Sequence, residues 1–230
     1  MSVLCSISTY KRYDTTLTLA ISSVITQTVK PDKLVIFDDN ENPRDVREDQ
    51  TYKYLFNMLE INGIEWEWVW ARKMGQHHNH QMANKMGYKW VWRLDDDVIA
   101  EPNVLENLLK YTTHDVGAVG GSILTPPNVH SLNATGKIEN IDVEPNIQWG
   151  RINEVKEVDH LHCSFLYRAG VQDYNLGLSR VAHREETLFT YGLKQKGYKI
   201  LVVPDTVTWH LKNPSGGIRA DTVRAEMFHH

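Results

Sequence analysis

The sequence has little cysteine: two residues, Cys5 and Cys163, in 230. Both lie in apolar, strand-like runs, so they read as small core residues and a disulfide framework is excluded. No uninterrupted apolar stretch approaches the roughly 20 residues of a membrane span. Near the N-terminus Ser6, Ser8, Thr9, Lys11 and Arg12 break any apolar core, so the layout of a signal peptide is missing. A soluble, cytoplasmic protein is expected. The net charge is only −4, which gives no broad basic surface for nucleic acid. No internal repeat is evident. At this length the chain fits one large domain with a sizeable core.

What is present starts with three aspartates, Asp95, Asp96 and Asp97, directly after the apolar run Trp90-Val91-Trp92-Arg93-Leu94. The run reads as a buried strand with the carboxylates at its exit. Strand side chains alternate, so Asp95 and Asp97 can share one side with Asp96 opposite. Carboxylates this close repel and resist burial, and a divalent cation between them removes both costs. A solvated acidic turn ahead of Pro102 is the plainer reading of the triplet alone.

The first half alternates strand and helix patterns. Strands are expected at Val3–Ser8, Lys33–Phe37, Glu65–Trp70, Trp90–Leu94 and Val116–Ile123. Helices are expected at Asp14–Gln27, with Asp14 as N-cap, at Asp45–Asn62 closed by Gly63, at Gln76–Met86 and at Pro102–Tyr111. Trp66, Trp68 and Trp70 fall on one strand face. From Pro126 to about Lys156 the periodicity fades into loops or an insertion. Order returns with a strand in His160–Tyr167, a helix over Glu185–Lys196, a strand over Tyr198–Val203 and a short extended piece at Thr206–His210. This is an α/β chain with a mostly parallel central sheet covered by helices on both faces. Such sheets bind ligands at the carboxyl ends of their strands. Thr9, Asp38 with Asp39, Arg72 and Asp95–Asp97 are the polar groups at four such ends.

The ordered motifs resemble the family 2 glycosyltransferases, whose fold is the Rossmann-like GT-A fold of nucleotide-diphospho-sugar transferases. The matching pieces are Val3 to Arg12, Ser23 to Thr28, Val35 to Asn40, Arg93 to Asp97, Glu185-Glu186, Gly197 to Ile200, Pro204 and His210. Three positions depart from the family pattern. The usual Asp-Asp-Gly-Ser turn is Asp38-Asp39-Asn40-Glu41, the usual Arg-Asn pair is His78-Asn79, and the usual Glu-Asp pair is Glu185-Glu186. The resemblance implies a single domain with a nucleotide-sugar donor half over 1–125, an acceptor half over 126–211 and a mobile tail over 212–230.

It also implies roles. Asp97 and His210 would ligate a metal, with Asp95 near the ribose or a metal-bound water and Asp96 beside them. Mixed oxygen and imidazole ligation suits Mn2+, with Mg2+ as the other choice. Asp39 would accept a hydrogen bond from the base, with Asp38 near the ribose. Thr9 and Arg72 are candidate contacts to base or diphosphate. Glu186 would be the general base that takes the proton from the acceptor hydroxyl, with inversion. Glu185 could bind an acceptor hydroxyl. The donor would be a UDP-sugar, with a GDP-sugar possible, and the acceptor a glycan or other hydroxyl compound. Trp149, Tyr167 and Tyr174 are candidates either for stacking on a sugar or for core packing. The tail from Lys212 to Arg224 could close over the diphosphate or remain disordered.

Three other readings compete. His77, His78 and His80, with His160 and His162, suggest zinc, but their spacing matches no closed site. A sugar-phosphate nucleotidyltransferase would need a glycine-rich loop after the first strand, and Ser8-Thr9-Tyr10-Lys11-Arg12 has no glycine. A non-catalytic nucleotide-sugar or glycan-binding module would have no use for Glu186.

Overall fold

In the computed structural model, residues 1–71, 73–127, 147–181, 184–212 and 215–217 are described. The elements run β1 (Val3–Thr9), α1 (Leu17–Ile25), β2 (Lys33–Asp38), α2 (Gln50–Ile61), β3 (Glu65–Trp70), α3 (Gln76–Asn84), β4 (Trp90–Asp95), β5 (Val98–Ala100), α4 (Val104–Leu109), β6 (Val116–Leu124), β7 (Lys156–Glu157), β8 (Phe165–Arg168), α5 (Glu185–Gln195) and β9 (Lys199–His210). One sheet has the order β3-β2-β1-β4-β8-β6-β9-β5, with β7 on β9.

The class is the expected one, and the sheet is mixed. β1 pairs in parallel with β2 and β4, β2 with β3, and β6 with β9. β8 runs antiparallel between β4 and β6, and β5 and β7 run antiparallel to β9.

The alternation of strand side chains builds two cores. Val3, Cys5 and Ile7 of β1 join Leu17, Ile21 and Phe56 from α1 and α2 on one face. Leu4, between them, joins Ala83 of α3 and Phe189 and Leu193 of α5 on the other. Every residue of β1 is buried, which requires helices on both faces. Cys5 is a buried core thiol, as its apolar run suggests. His77 and His80 are fully buried, and His80 Nδ1 lies 3.3 Å from Ser6 Oγ, so this helix face is core. Tyr167 and Tyr174 are buried beside Phe189, the core-packing arrangement.

Several boundaries move. Asp14 is not the cap of α1. The helix begins at Leu17 after Thr16, and Asp14 instead takes two hydrogen bonds from Arg44 at 3.2 and 2.5 Å. The helix expected over Asp45–Asn62 splits into a 3-10 turn at Val46–Glu48, capped by Asp45, and α2. The expected strands Tyr198–Val203 and Thr206–His210 are one strand, β9, interrupted by a left-handed Asp205 at φ 57°. The three-residue β5 was not foreseen. Its pairing of Val98 with His210 carries most consequence, because it sets His210 beside Asp97.

Candidate active site

Four strand ends meet at one edge. Parallel registry places Ser8 beside Asp95 and Thr9 beside Asp38, so the exits of β1, β2 and β4 are neighbours. β9 arrives from the far half, and Leu211 N donates to Asp97 O at 2.9 Å.

The acidic triplet divides by direction. Asp96 turns toward β1 and accepts from Thr9 Oγ1 at 2.8 Å and from the Tyr10 N–H at 3.2 Å. Burial lifts its carboxyl to about 7, and Arg12 opposes that rise. Asp97 binds Arg12 Nη1 at 2.5 Å and lies 3.5 Å from His210 Nε2. Asp95 groups with Cys163 and His210, one ligand atom of each lying within 4.8 Å of the others. Cys163 has a left-handed backbone, φ 50°, uncommon for a residue with a side chain. Trp149 meets His210 edge to face at 5.4 Å, and Lys212 lies 5.7 Å from its ring, so Trp149 borders this group.

Arg93 joins the triplet to the second carboxylate pair. Its guanidinium is buried in β4. It lies 2.9 Å from Glu185 Oε1, 3.9 Å from Glu186 Oε2 and 3.5 Å from Asp95 Oδ1. Both glutamates open α5, where the helix N-terminus favours negative charge. They titrate apart. Burial would raise Glu185, but the charge of Arg93 together with hydrogen bonds from Glu186, Gln76 and the backbone holds that carboxyl below its ordinary value. Burial and the Glu185 charge push Glu186 well above its ordinary value. His162 Nδ1 lies 3.5 Å from Glu186 Oε1. Burial and His160 hold His162 down at about 3, so it is neutral at pH 7.

Asp38 and Asp39 are equally buried. Asp38 is engaged by its own turn. It accepts from Asn40 N at 3.0 Å, from Asn40 Nδ2 at 2.7 Å and from the Tyr13 hydroxyl. Asp39 is held by Asn79, 3.5 Å away, which also donates to Ser8 Oγ at 2.8 Å. Asn79 is the asparagine of the departing His78-Asn79 pair. Arg72 lies outside the described residues, as do Arg219 and Arg224 of the tail. Of that tail, Gly217 N donates to Tyr10 O at 2.8 Å, so the segment touches the β1 exit.

Thus Asp95, Asp97 and His210 come together, and Glu186 stands across Arg93 from them. The sequence reading did not assign roles to Arg12, Arg93 or Arg180, and it read Cys163 as a core residue and His162 only as a zinc candidate. Arg93 carried a usable signal: a charge inside a buried strand requires a partner.

The chain matches the model of Glycosyl transferase family 2 over residues 5–174. The chain belongs to that family. Its structure is similar to S. aureus TarS, with TM-score 0.65 and 15% identity, covering 92% of this chain and 37% of that one. It is also similar to GalNAc-T7 crystallised with UDP, GalNAc and Mn2+, with TM-score 0.65, 13% identity and coverage of 91% and 43%. A shorter TarS form in complex with UDP-GlcNAc matches with TM-score 0.63 and 15% identity, covering 96% of this chain and 61% of that one. The chain therefore spans less than two thirds of each of these proteins. A search among curated proteins gives no significant match. Family and fold together place the chain among Glycosyl transferase family 2 proteins of GT-A fold. Among the described residues no helix is long and apolar enough to cross a membrane.

Proposed function

We propose that the chain is a metal-dependent, inverting glycosyltransferase that moves a sugar from a UDP-sugar to the hydroxyl of a glycan or other acceptor. One juxtaposition carries this reading: buried Arg93 bridges Asp95 at the donor edge and the Glu185-Glu186 pair at the start of α5.

The side chains fit a divalent cation. Carboxylate and imidazole donors converge, and His210 Nδ1 is buried with no hydrogen-bond partner among the described residues. Asp95, Asp97 and His210 would hold Mn2+ or Mg2+, and the bound cation would neutralise charge on the departing diphosphate. GalNAc-T7, which shares the fold, was crystallised with Mn2+ and UDP. Asp39 accepts an N–H from the base. Thr9 orients Asp96, and Arg12 balances Asp96 and Asp97.

Glu186 is the general base. It receives the proton of the acceptor hydroxyl as that oxygen attacks the anomeric carbon. The bond to the diphosphate breaks on the opposite face, so configuration inverts. Its raised proton affinity suits a base working near neutral pH. Glu185, fixed by Arg93, holds the acceptor or the helix start in place.

The test is Glu186→Gln assayed with UDP-sugars and Mn2+. Turnover should disappear while donor binding, followed by thermal shift, persists. Equal turnover in the variant would remove the base assignment. The anomeric configuration of the product, read by proton NMR, decides inversion.

A further inference from the structure

Asp39 has no solvent-exposed surface. A carboxylate so covered cannot accept an N–H from a ligand until a covering group moves. Asn79 belongs to the framework, being 1% exposed and anchored on Ser8. Arg180, from the segment before α5, is different. Its Nε lies 3.4 Å from Asp39 Oδ2, and Nη2 donates to Asp39 O at 3.0 Å. Nη1 reaches Glu41 at 3.0 Å, and the guanidinium carbon sits 5.0 Å from the Tyr10 ring centre. The Arg180 side chain is 29% exposed, so it has a route into solvent.

Its backbone does not have that freedom. Gly75 adopts φ +101°, and a Cβ there would stand 2.6 Å from Arg180 O. The main chain of residue 180 is thus seated against the start of α3, and the side chain alone can turn away. The guanidinium is planar, directs N–H at Asp39 and lies over an aromatic ring. A planar base with a ring N–H would use the same carboxylate and the same ring.

We propose that Arg180 is the resident occupant of the base subsite, displaced by the nucleotide base, and that it thereby sets donor affinity. This rests on Asp39 as the base contact. The cost of displacement is common to every ligand whose base reaches Asp39. It is independent of the diphosphate and of the cation.

The experiment is calorimetric titration of uridine and of UDP, each with and without Mn2+, into the wild type, Arg180→Gln, Arg180→Lys and Asp39→Asn. The Arg180→Gln protein should bind both ligands about two- to fivefold more tightly, the range of a partly exposed ion pair, and by the same factor with or without Mn2+. Arg180→Lys, which keeps charge without the planar fork, should fall between. Asp39→Asn should bind uridine more weakly. Weaker or unchanged binding by Arg180→Gln, with Asp39→Asn impaired, would overturn the proposal and leave the base assignment standing. Unchanged uridine binding by Asp39→Asn would overturn both.

Discussion

Arg12 and Asp97 form an ion pair of 2.5 Å in which the side chains are only 3% and 6% exposed. Arg12 Nε also lies 3.5 Å from Asp96 Oδ1, so one guanidinium serves two buried carboxylates. Removing one partner of a buried pair leaves an uncompensated charge. Arg12→Gln should therefore destabilise the fold by about 3–5 kcal/mol, read from urea denaturation. Added Mn2+ should raise the melting temperature of this variant more than that of the wild type, because a cation replaces the lost charge. A variant as stable as the wild type would show that the pair contributes nothing net.

The two glutamates of α5 should behave differently on amidation. Glu185 is 1% exposed and is the nearer partner of Arg93. Glu185→Gln leaves a buried guanidinium with weaker partners, and a loss of about 3 kcal/mol is expected. Glu186→Gln removes the more distant carboxylate, whose ionised form burial disfavours, and should leave stability unchanged or raised. Denaturation midpoints of the two variants at pH 7 check the order.

That contrast marks where sequence reading stops. Asp38-Asp39 and Asp95–Asp97 were legible as polar strand exits from periodicity and turn residues, while the roles given to Asp39 and Glu186 came from the family resemblance. His210 came from the family resemblance. Its meeting with Asp97 depends on β5, too short at Val98–Ala100 to be read as a strand. Arg93 was visible as a misplaced charge, but its partners on α5 are fixed only by the packing of α5 against β6 and β9. Asp14 looked like a helix cap until Arg44, from another loop, competed for it.

The pH dependence of stability has two opposing parts. His162 titrates at about 3 in the fold against 6.5 ordinarily. A depressed histidine contributes stability that is complete above pH 6.5. It is lost as pH falls toward 3, because the unfolded chain binds the proton first. Glu186 is shifted upward, so its contribution is complete below the ordinary glutamate range and is lost as pH rises through its elevated value. His162→Gln should flatten the acid limb between pH 6.5 and 3, and Glu186→Gln should flatten the fall above pH 4.5. Melting temperatures across that range check both.

Gly75 should tolerate no side chain. Its φ of +101° is unfavourable for L-residues, and a Cβ would meet Arg180 O at 2.6 Å and His77 Cε1 at 2.9 Å. Gly75→Ala is expected to cost about 1–3 kcal/mol and to loosen the segment carrying Arg180. Hydrogen exchange should quicken around residues 178–181, with little change in β1 or β4.

Loss of the His210 imidazole should separate metal from nucleotide. His210 pairs with Val98 in the β5–β9 ladder, which sets it beside Asp97, and its side chain is 16% exposed, so truncation there leaves the sheet intact. Asp39 belongs to the β2 exit and shares no hydrogen bond with it among the described residues. His210→Gln should weaken Mn2+ binding by about tenfold or more, within the range of one lost coordination bond or its support. Uridine affinity should be unchanged, because the proposed base contact, Asp39, directly follows β2. UDP should lose its Mn2+-dependent gain in affinity, since the diphosphate is what couples to the cation. Electron paramagnetic resonance of free Mn2+ reads the first quantity and calorimetry the other two. Should uridine binding fall with Mn2+ binding, the base and metal subsites would be one unit, and the division of the edge into a base side and a metal side would have to be abandoned.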